Sequence, residues 1–280
     1  MYSVEELAHD FRKLGISAGD TVMLHASVRA VGEVAGGPDS IHLALKSVLR
    51  SEGTLMMYAG CPRYYDELER GNLTLDEERE IREKLPVFDP LTARSARDHG
   101  ILVEFLRTYP GSQVNHHVAR FVCWGNQTDH LLARQPWSYA FGADSPLERF
   151  LRLDGKIILL GSDHDALTFL HYVEHVADLP GKRIAHFQVP IEENGCRVWR
   201  AMEEFDTSGD GVHRNWPDRF FAKIVDGFLI HTHNHGARVG NARTHLVSAA
   251  RLLDFAVPLM QAVAADPRAA ESLKELRSAS

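Results

Sequence analysis

The feature that most constrains the fold is a set of short apolar runs separated by helix-sized segments. Thr21-Val22-Met23-Leu24-His25-Ala26 reads as a buried strand, residues 54–58 as a second, and Lys156-Ile157-Ile158-Leu159-Leu160 as the clearest of the three. A run that is apolar at consecutive positions suits a strand covered on both faces. Between the first two lie Ser27-Val28-Arg29-Ala30-Val31-Gly32, a Gly36-Gly37 turn and a helix over 40–50. Parallel strands need a long crossover, usually a helix, so this strand–loop–helix–strand order predicts an α/β sheet.

The remaining segments decorate that frame. Ser3-Val4-Glu5-Glu6 has capping-box spacing and opens a helix that Gly15 can close. Residues 60–86 are poor in aliphatic side chains and rich in acids, and read as a lid or wall with a short charged helix. A helix over about 98–108 and a strand near 120–124 follow. A helix over 165–178 begins directly after the 156–160 strand, with Asp165 as its N-cap. Alternating patterns at 183–189 and 196–202, joined by Glu193-Asn194-Gly195, predict a β-hairpin. Helices near 215–227 and 244–264 come next, and 266–280 reads as a polar terminal helix and tail. The expectation is one domain over 1–280, with an acidic insertion at 60–90 and a small hairpin and helical C-terminal elaboration.

Charge removes several function classes. Lys+Arg number 31 against 38 Asp+Glu, a net charge of −7, with no Lys/Arg block. A protein that tracks a nucleic-acid backbone needs a basic stripe, so that class is not expected. An acidic balance attracts a cationic ligand, and equally serves solubility. No stretch reaches the roughly 18 apolar residues that cross a bilayer. The opening residues are charged and amphipathic rather than basic then apolar, which argues against a targeting signal. Cys61, Cys123 and Cys196 are odd in number and far apart, against a disulfide framework. A soluble cytoplasmic enzyme, monomeric or homodimeric, fits these features.

The 165–178 helix carries the chemistry. At about 100° per residue, Ala166, Leu170, Val173 and Ala177 share one face, extended by Phe169 and Val176. Thr168, His171, Glu174, His175 and Asp178 share the other. Polar helix faces are commonly just solvated, but this one starts at the end of an apolar strand, where α/β sheets gather ligands. His171 and Glu174 are three apart, so the carboxylate can orient the imidazole and raise its basicity. Histidine titrates near neutrality, which suits taking a proton from an amine. Thr168, one turn earlier, can donate to a developing oxyanion. The same residues spell H-x-x-E-H, the inverted zinc-hydrolase pattern, in which His171 and His175 would bind metal. That reading needs a third ligand downstream, for which Glu203 and Glu204 are the candidates.

Taken in order, the segments resemble the aminoglycoside 3-N-acetyltransferases, also called antibiotic N-acetyltransferases. The resemblance is carried by Met23 through Gly32, Gly36-Gly37-Pro38, Glu52 through Tyr58, Phe88-Asp89-Pro90 and Glu104-Phe105-Leu106-Arg107. It continues with Leu159-Leu160-Gly161, Thr168 through Glu174 and Arg238-Val239-Gly240. It implies a three-layer α/β/α fold with a mixed central sheet, distinct from the GNAT acetyltransferases. It also implies acetyl-CoA as donor, the 3-amino group of a 2-deoxystreptamine aminoglycoside as acceptor, and no metal. His171 matches the family's catalytic histidine, with Thr168 and Glu174 in its motif, and His175 becomes incidental. A non-catalytic, polycation-binding relative is the third reading.

The coenzyme side then falls to His25, Ala26, Ser27, Val28, Arg29, Ala30, Val31 and Gly32. Small residues and free backbone amides between a strand and a helix can approach phosphates, and Arg29 adds charge. For a polycationic acceptor the candidates are Tyr64, Asp66, Glu67, Phe88, Asp89, Glu104, His116, Glu204 and Asp206. One departure stands out. Many family members carry Arg-Ser-x-His-Pro and a later serine near 113–120, where this chain has Gln113-Val114-Asn115-His116-His117-Val118-Ala119-Arg120. His116 falls at the family's histidine and Arg120 replaces the later serine.

Overall fold

A computed structural model describes residues 1–61, 65, 73–206 and 215–271. Helix α1 (Val4–Leu14) is opened by the predicted capping box and closed by Gly15 at φ 108°. Strand β1 (Thr21–Ala26), the one-turn α2 (Val28–Val31), α3 (Asp39–Leu49) and β2 (Thr54–Tyr58) follow. Next come α4 (Leu75–Lys84), a 3-10 turn at Arg97–His99, α5 (Leu102–Thr108), β3 (Gln113–Val114) and β4 (Phe121–Gly125). Short helices α6 (Thr128–Leu131) and α7 (Pro146–Arg152) lead to β5 (Lys156–Leu160). A 3-10 turn at His164–Ala166 precedes α8 (Phe169–Val176), then the hairpin of β6 (Ile184–Glu193) and β7 (Cys196–Phe205). The chain continues through α9 (Phe220–His231), β8 (Ala237–Val239), β9 (Ala242–Ser248), α10 (Ala249–Ala265) and a 3-10 turn at Pro267–Glu271.

Seven strands form one sheet in the order β3-β4-β2-β1-β5-β9-β8. The central trio β2, β1 and β5 is parallel, and the flanking strands join antiparallel. Side chains alternate between faces. Val22, Leu24, Leu55, Met57, Ile158 and Leu160 pack against α1, α3 and α5. Met23, Met56, Ile157, Leu159 and Val247 pack against α7, α8, α9 and α10. Burial on both faces is why these runs are continuously apolar, and it produces the expected α/β/α layering on a mixed sheet. Outside the layers, the two-stranded β6–β7 sheet caps a smaller cluster of Tyr65, Leu85, Phe88, Val118, Phe187, Val189, Ile191 and Met202. Helix α4 leans on that hairpin through Arg82, which donates to Gln188 Oε1 at 2.8 Å and lies over the Trp199 ring.

Four local expectations need correction. The helix expected over 165–178 starts at Phe169, and Asp163, not Asp165, caps the 3-10 turn before it. Asp165 instead accepts from Ala222 N–H at 3.0 Å, tying the turn to α9. The helix expected from 244 begins at Ala249, because Thr244 to Ser248 continue β9, where His245 pairs with Leu159. The helix expected over 98–108 begins at Leu102 after the 3-10 turn. The hairpin is longer than predicted, ten residues on each strand, with its turn at Asn194-Gly195.

Candidate functional site

The parallel strands β2, β1 and β5 end on the same edge, and two cavities open there. The smaller, about 410 Å³, is lined by the His25–Arg29 segment, Tyr58, residues 98–101, Ser162, Asp163, Ala166 and Thr168. The larger, about 890 Å³, extends under the β6–β7 hairpin, and its wall includes His117, Trp137, Phe141, His171, Glu204 and Phe205. Tyr58, Asp98 and His99 belong to both walls, so the cavities meet there. The Tyr58 and His99 rings stand edge to face at 4.8 Å across that junction.

His171 faces the larger cavity from the first turn of α8. Its Nδ1 lies 2.8 Å from Glu174 Oε2. An ionised carboxylate only accepts, so Nδ1–H is the donor and Nε2 is left as the free base. Burial pulls the imidazole pKa down, but the Glu174 charge and hydrogen bond outweigh it and hold it above the ordinary histidine value. The Glu174 side chain is 4 % exposed, and burial raises its carboxyl pKa while His171 and His175 pull it the other way. Two rings fix the imidazole plane. Phe141 stacks on it at 5.0 Å and Phe221 meets it edge-on at 5.1 Å. Phe141 is itself anchored: Asn115 donates to Gln135, whose amide donates to Ala140 O at 2.7 Å.

Thr168 sits immediately before α8, buried, on the wall of the smaller cavity. It occupies the N-cap position without making a side-chain cap hydrogen bond, which leaves its hydroxyl free of the usual capping role. Thr168 and His171 therefore look into adjoining cavities from consecutive turns. His175 turns away and pairs with Glu204 Oε1 at 2.8 Å. The two histidines of the H-x-x-E-H pattern thus engage different carboxylates, and no three His, Cys, Asp or Glu side chains converge as a metal site among the described residues.

Within the predicted coenzyme segment, only His25, Ala26, Ser27, Val28 and Arg29 line the smaller cavity. Ala30, Val31 and Gly32 do not. Val31 is buried in the core against α1 and α3, and Gly32 turns the chain at φ 93° beside Asn241. Ser27 caps α2, its Oγ accepting from Ala30 N–H at 3.3 Å. Gly161, at φ 58° after β5, lets α2 approach; a Cβ there would lie 2.5 Å from Ala30 Cβ. Two residues of this wall each carry a buried polar atom, His25 Nε2 and Ser162 Oγ, with no hydrogen-bond partner among the described residues. Buried polar atoms are ordinarily satisfied, so this lining suits a ligand with polar groups of its own.

The predicted acceptor residues scatter. Glu204 lines the larger cavity. Phe88 is buried in the hairpin cluster. Asp89 accepts from Leu91 N–H and Thr92 Oγ1–H in a local turn. Glu104 is a scaffold residue: burial opposes its ionisation, but donors from Arg107, Ser95 and Arg94 hold its pKa down to about 2. Asp206 pairs with Arg183 at 3.2 Å, outside the wall. Tyr64, Asp66 and Glu67 lie outside the described residues. His116 is exposed, and the cavity histidine is its neighbour His117, which accepts from Ala119 N–H at 2.9 Å and donates to Trp137 O at 3.0 Å. Those bonds fix a neutral tautomer, and burial holds its pKa down to about 4. The sequence reading missed Tyr58, Asp98, His99, His117 and Trp137. The departure at His116-His117 was the local signal beside His117, and the aromatic residues at 137–141 were the one beside Trp137. Arg120 is fully buried and donates to Ala59 O, Pro90 O, Ala93 O and Ser95 Oγ, bracing the wall that carries Ser95.

The family profile described as aminoglycoside 3-N-acetyltransferase matches residues 23–261. The chain is 36% identical over 259 residues to an aminoglycoside N(3)-acetyltransferase III of Pseudomonas aeruginosa, covering 91% of this chain and 92% of that one. Among solved structures it superposes on AAC-IIIb in its binary complex with CoASH with TM-score 0.86 and 37% identity, covering 93% of this chain and 96% of the other. It superposes on sisomicin-bound AAC-VIa with TM-score 0.85 and 32% identity, covering 93% and 98%.

Proposed function

The chain belongs to the aminoglycoside 3-N-acetyltransferase family, and from that premise we propose that it moves an acetyl group from acetyl-CoA to the 3-amino group of a 2-deoxystreptamine aminoglycoside, with His171 as general base. The observation that carries the reading is the pair His171–Glu174 on the wall of the larger cavity, with Nδ1 held by the carboxylate and Nε2 left as the base. The thioester end of acetyl-CoA is assigned to the smaller cavity, whose wall carries His25 and Ser162, each with an unsatisfied polar atom, and the exposed Arg29. The acceptor fits the larger one, whose Asp98 and Glu204 carboxylates and aromatic walls suit amino sugars. CoASH and sisomicin in the neighbouring structures support both assignments.

The unprotonated amine attacks the thioester carbonyl carbon. His171 Nε2 takes the amine proton as the N–C bond forms, while Glu174 stabilises the resulting imidazolium. Thr168 Oγ1–H donates to the developing oxyanion. The C–S bond then breaks, coenzyme A leaves as a thiolate that takes a proton from solvent, and His171 returns its proton to solvent, which restores the base.

Thiol release from acetyl-CoA across an aminoglycoside panel tests the reading, with and without a metal chelator. Turnover that survives the chelator is expected. His171→Ala should lower it by about 10²- to 10⁴-fold while acetyl-CoA binding persists. Full turnover in that variant refutes the base, and loss of turnover on chelation restores the zinc reading. Binding of aminoglycosides without thiol release favours the non-catalytic reading.

A further inference from the structure

His25 sits at the carboxyl end of β1 with its side chain on the same face as Met23, the face covered by α8. The β1–β5 register pairs His25 with Leu159, and β5–β9 pairs Leu159 with His245. Carried two residues past Met23–Met56, the β1–β2 register sets His25 beside Tyr58, which pairs with Phe121. Laterally adjacent strands lie about 4.8 Å apart, so His25 and Tyr58 are side by side at the floor of the cavity junction. Tyr58 already lines both cavities, and His25 lines the smaller one together with Thr168 and Ser162.

The chemistry of that imidazole narrows what it contacts. Its Nε2 is buried and lacks a hydrogen-bond partner among the described residues. Burial, and then the neighbouring His99, pull its pKa down to about 4. At neutral pH it is therefore an uncharged ring with one N–H to give. Such a group makes a poor phosphate clamp, which favours cations; it suits a neutral carbonyl that gains negative charge during reaction. Its position agrees, since Arg29 is the exposed cation of the same segment while His25 lies inward, beside the junction where donor and acceptor must meet.

We propose that His25, as its Nε2–H tautomer, donates a hydrogen bond to the thioester carbonyl oxygen of bound acetyl-CoA. With Thr168 it forms a two-donor oxyanion site, and His25 is thereby a catalytic residue. The inference rests on the acetyl-CoA reading above. It involves no proton transfer: the Nε2–H bond persists while the carbonyl oxygen gains and then returns charge.

Carbon-13 NMR of acetyl-CoA labelled at the carbonyl carbon tests this on the wild-type protein without any acceptor. A bound resonance displaced downfield from the free thioester is expected, because a donated hydrogen bond polarises the carbonyl. His25→Leu should return the bound resonance toward the free value. The same variant should lower kcat by about 10²- to 10³-fold, the cost of one oxyanion donor, with the acetyl-CoA dissociation constant within about threefold. His25→Gln, whose amide nitrogen reaches the Nε2 position, should regain at least about tenfold of the loss. A bound but undisplaced resonance in the wild type overturns the inference and leaves the function standing. So does a Leu variant within threefold of wild-type kcat, a Gln variant no better than Leu, or a loss in kcat matched by a loss of acetyl-CoA affinity. Absence of any bound resonance at saturating concentration overturns the acetyl-CoA reading itself, and this inference with it.

Discussion

Replacing Glu174 by Gln separates the charge of that side chain from its shape. Gln can still accept from His171 Nδ1–H, so the ring keeps its orientation and the Nε2 base its tautomer. What disappears is the negative charge 2.8 Å from the imidazole. When His171 has taken a proton, two unit charges lie about 4 Å apart, an interaction of about 4 kcal/mol at an effective dielectric of about 20. With the proton about half transferred at the transition state, about 2 kcal/mol of that is lost, or about thirtyfold in kcat. The pH profile supplies the second readout. His171 must be neutral to act, so activity falls as pH drops through its pKa. In the wild type Glu174 holds that pKa above the ordinary value despite burial. Without the charge, burial dominates and the pKa falls, so the acid limb moves to lower pH while the plateau drops. The assay is thiol release at saturating substrates over pH 5 to 9, as the ratio of variant to wild type, so that the acceptor amine's own titration cancels. An unchanged plateau, or an acid limb that stays put or moves up, refutes the assignment of Glu174 as the charge behind the base.

Two stability predictions follow from buried cations. Arg120→Met strands three carbonyls and a hydroxyl that the guanidinium now satisfies. At about 1 kcal/mol or more each, the loss is about 3–5 kcal/mol, which lowers Tm by about 10 °C for a chain of this size. Arg120→Lys should not restore it, because an ammonium cannot reach all four acceptors; calorimetric Tm values within about 3 °C of wild type contradict this. Lys46 Nζ is buried without a hydrogen-bond partner among the described residues, lying over the Tyr109 and Trp124 rings, and burial pulls its pKa down to about 8. The folded state thus carries the full cost of a buried ammonium below about pH 8, and is relieved of it as pH rises toward the unfolded value near 10.5. Lys46→Met should be more stable than wild type by about 1 kcal/mol at pH 7, with the gap narrowing by pH 9.5. Urea midpoints at both pH values decide it, and a variant that is less stable at pH 7 sinks the argument.

The strands of the parallel trio, the α1 cap and the Asn194-Gly195 turn were legible because each is written in consecutive residues. Continuous apolar runs mark two-sided burial, Ser3 and Glu6 mark a helix start, and Asn-Gly marks a tight turn. Helix α8 was legible for the same reason, and its His171–Glu174 pair is a local bond that three-residue spacing allows. Strands β8 and β9 went unread because β9 runs straight into α10 without a break, and only its pairing with β5 identifies it.

By itself, then, the sequence determined the layered α/β frame, the helix that carries the His171–Glu174 pair and the family, since periodicity, capping and motif spacing are properties of neighbours along the chain. The tertiary structure alone decided which polar groups share a cavity. His116 and His117 are adjacent in sequence, yet one is exposed and the other lines the larger cavity. Glu104 resembles a ligand for a cation, yet its partner is Arg107. His25 reads as the end of an apolar strand and the start of the coenzyme segment, and only the meeting of β1, β2 and β5 with residues 98–101 and the start of α8 leaves its buried nitrogen unsatisfied on the wall of the smaller cavity. Those segments come together through packing across about 140 positions, and no local pattern encodes which of their atoms will be left without a partner.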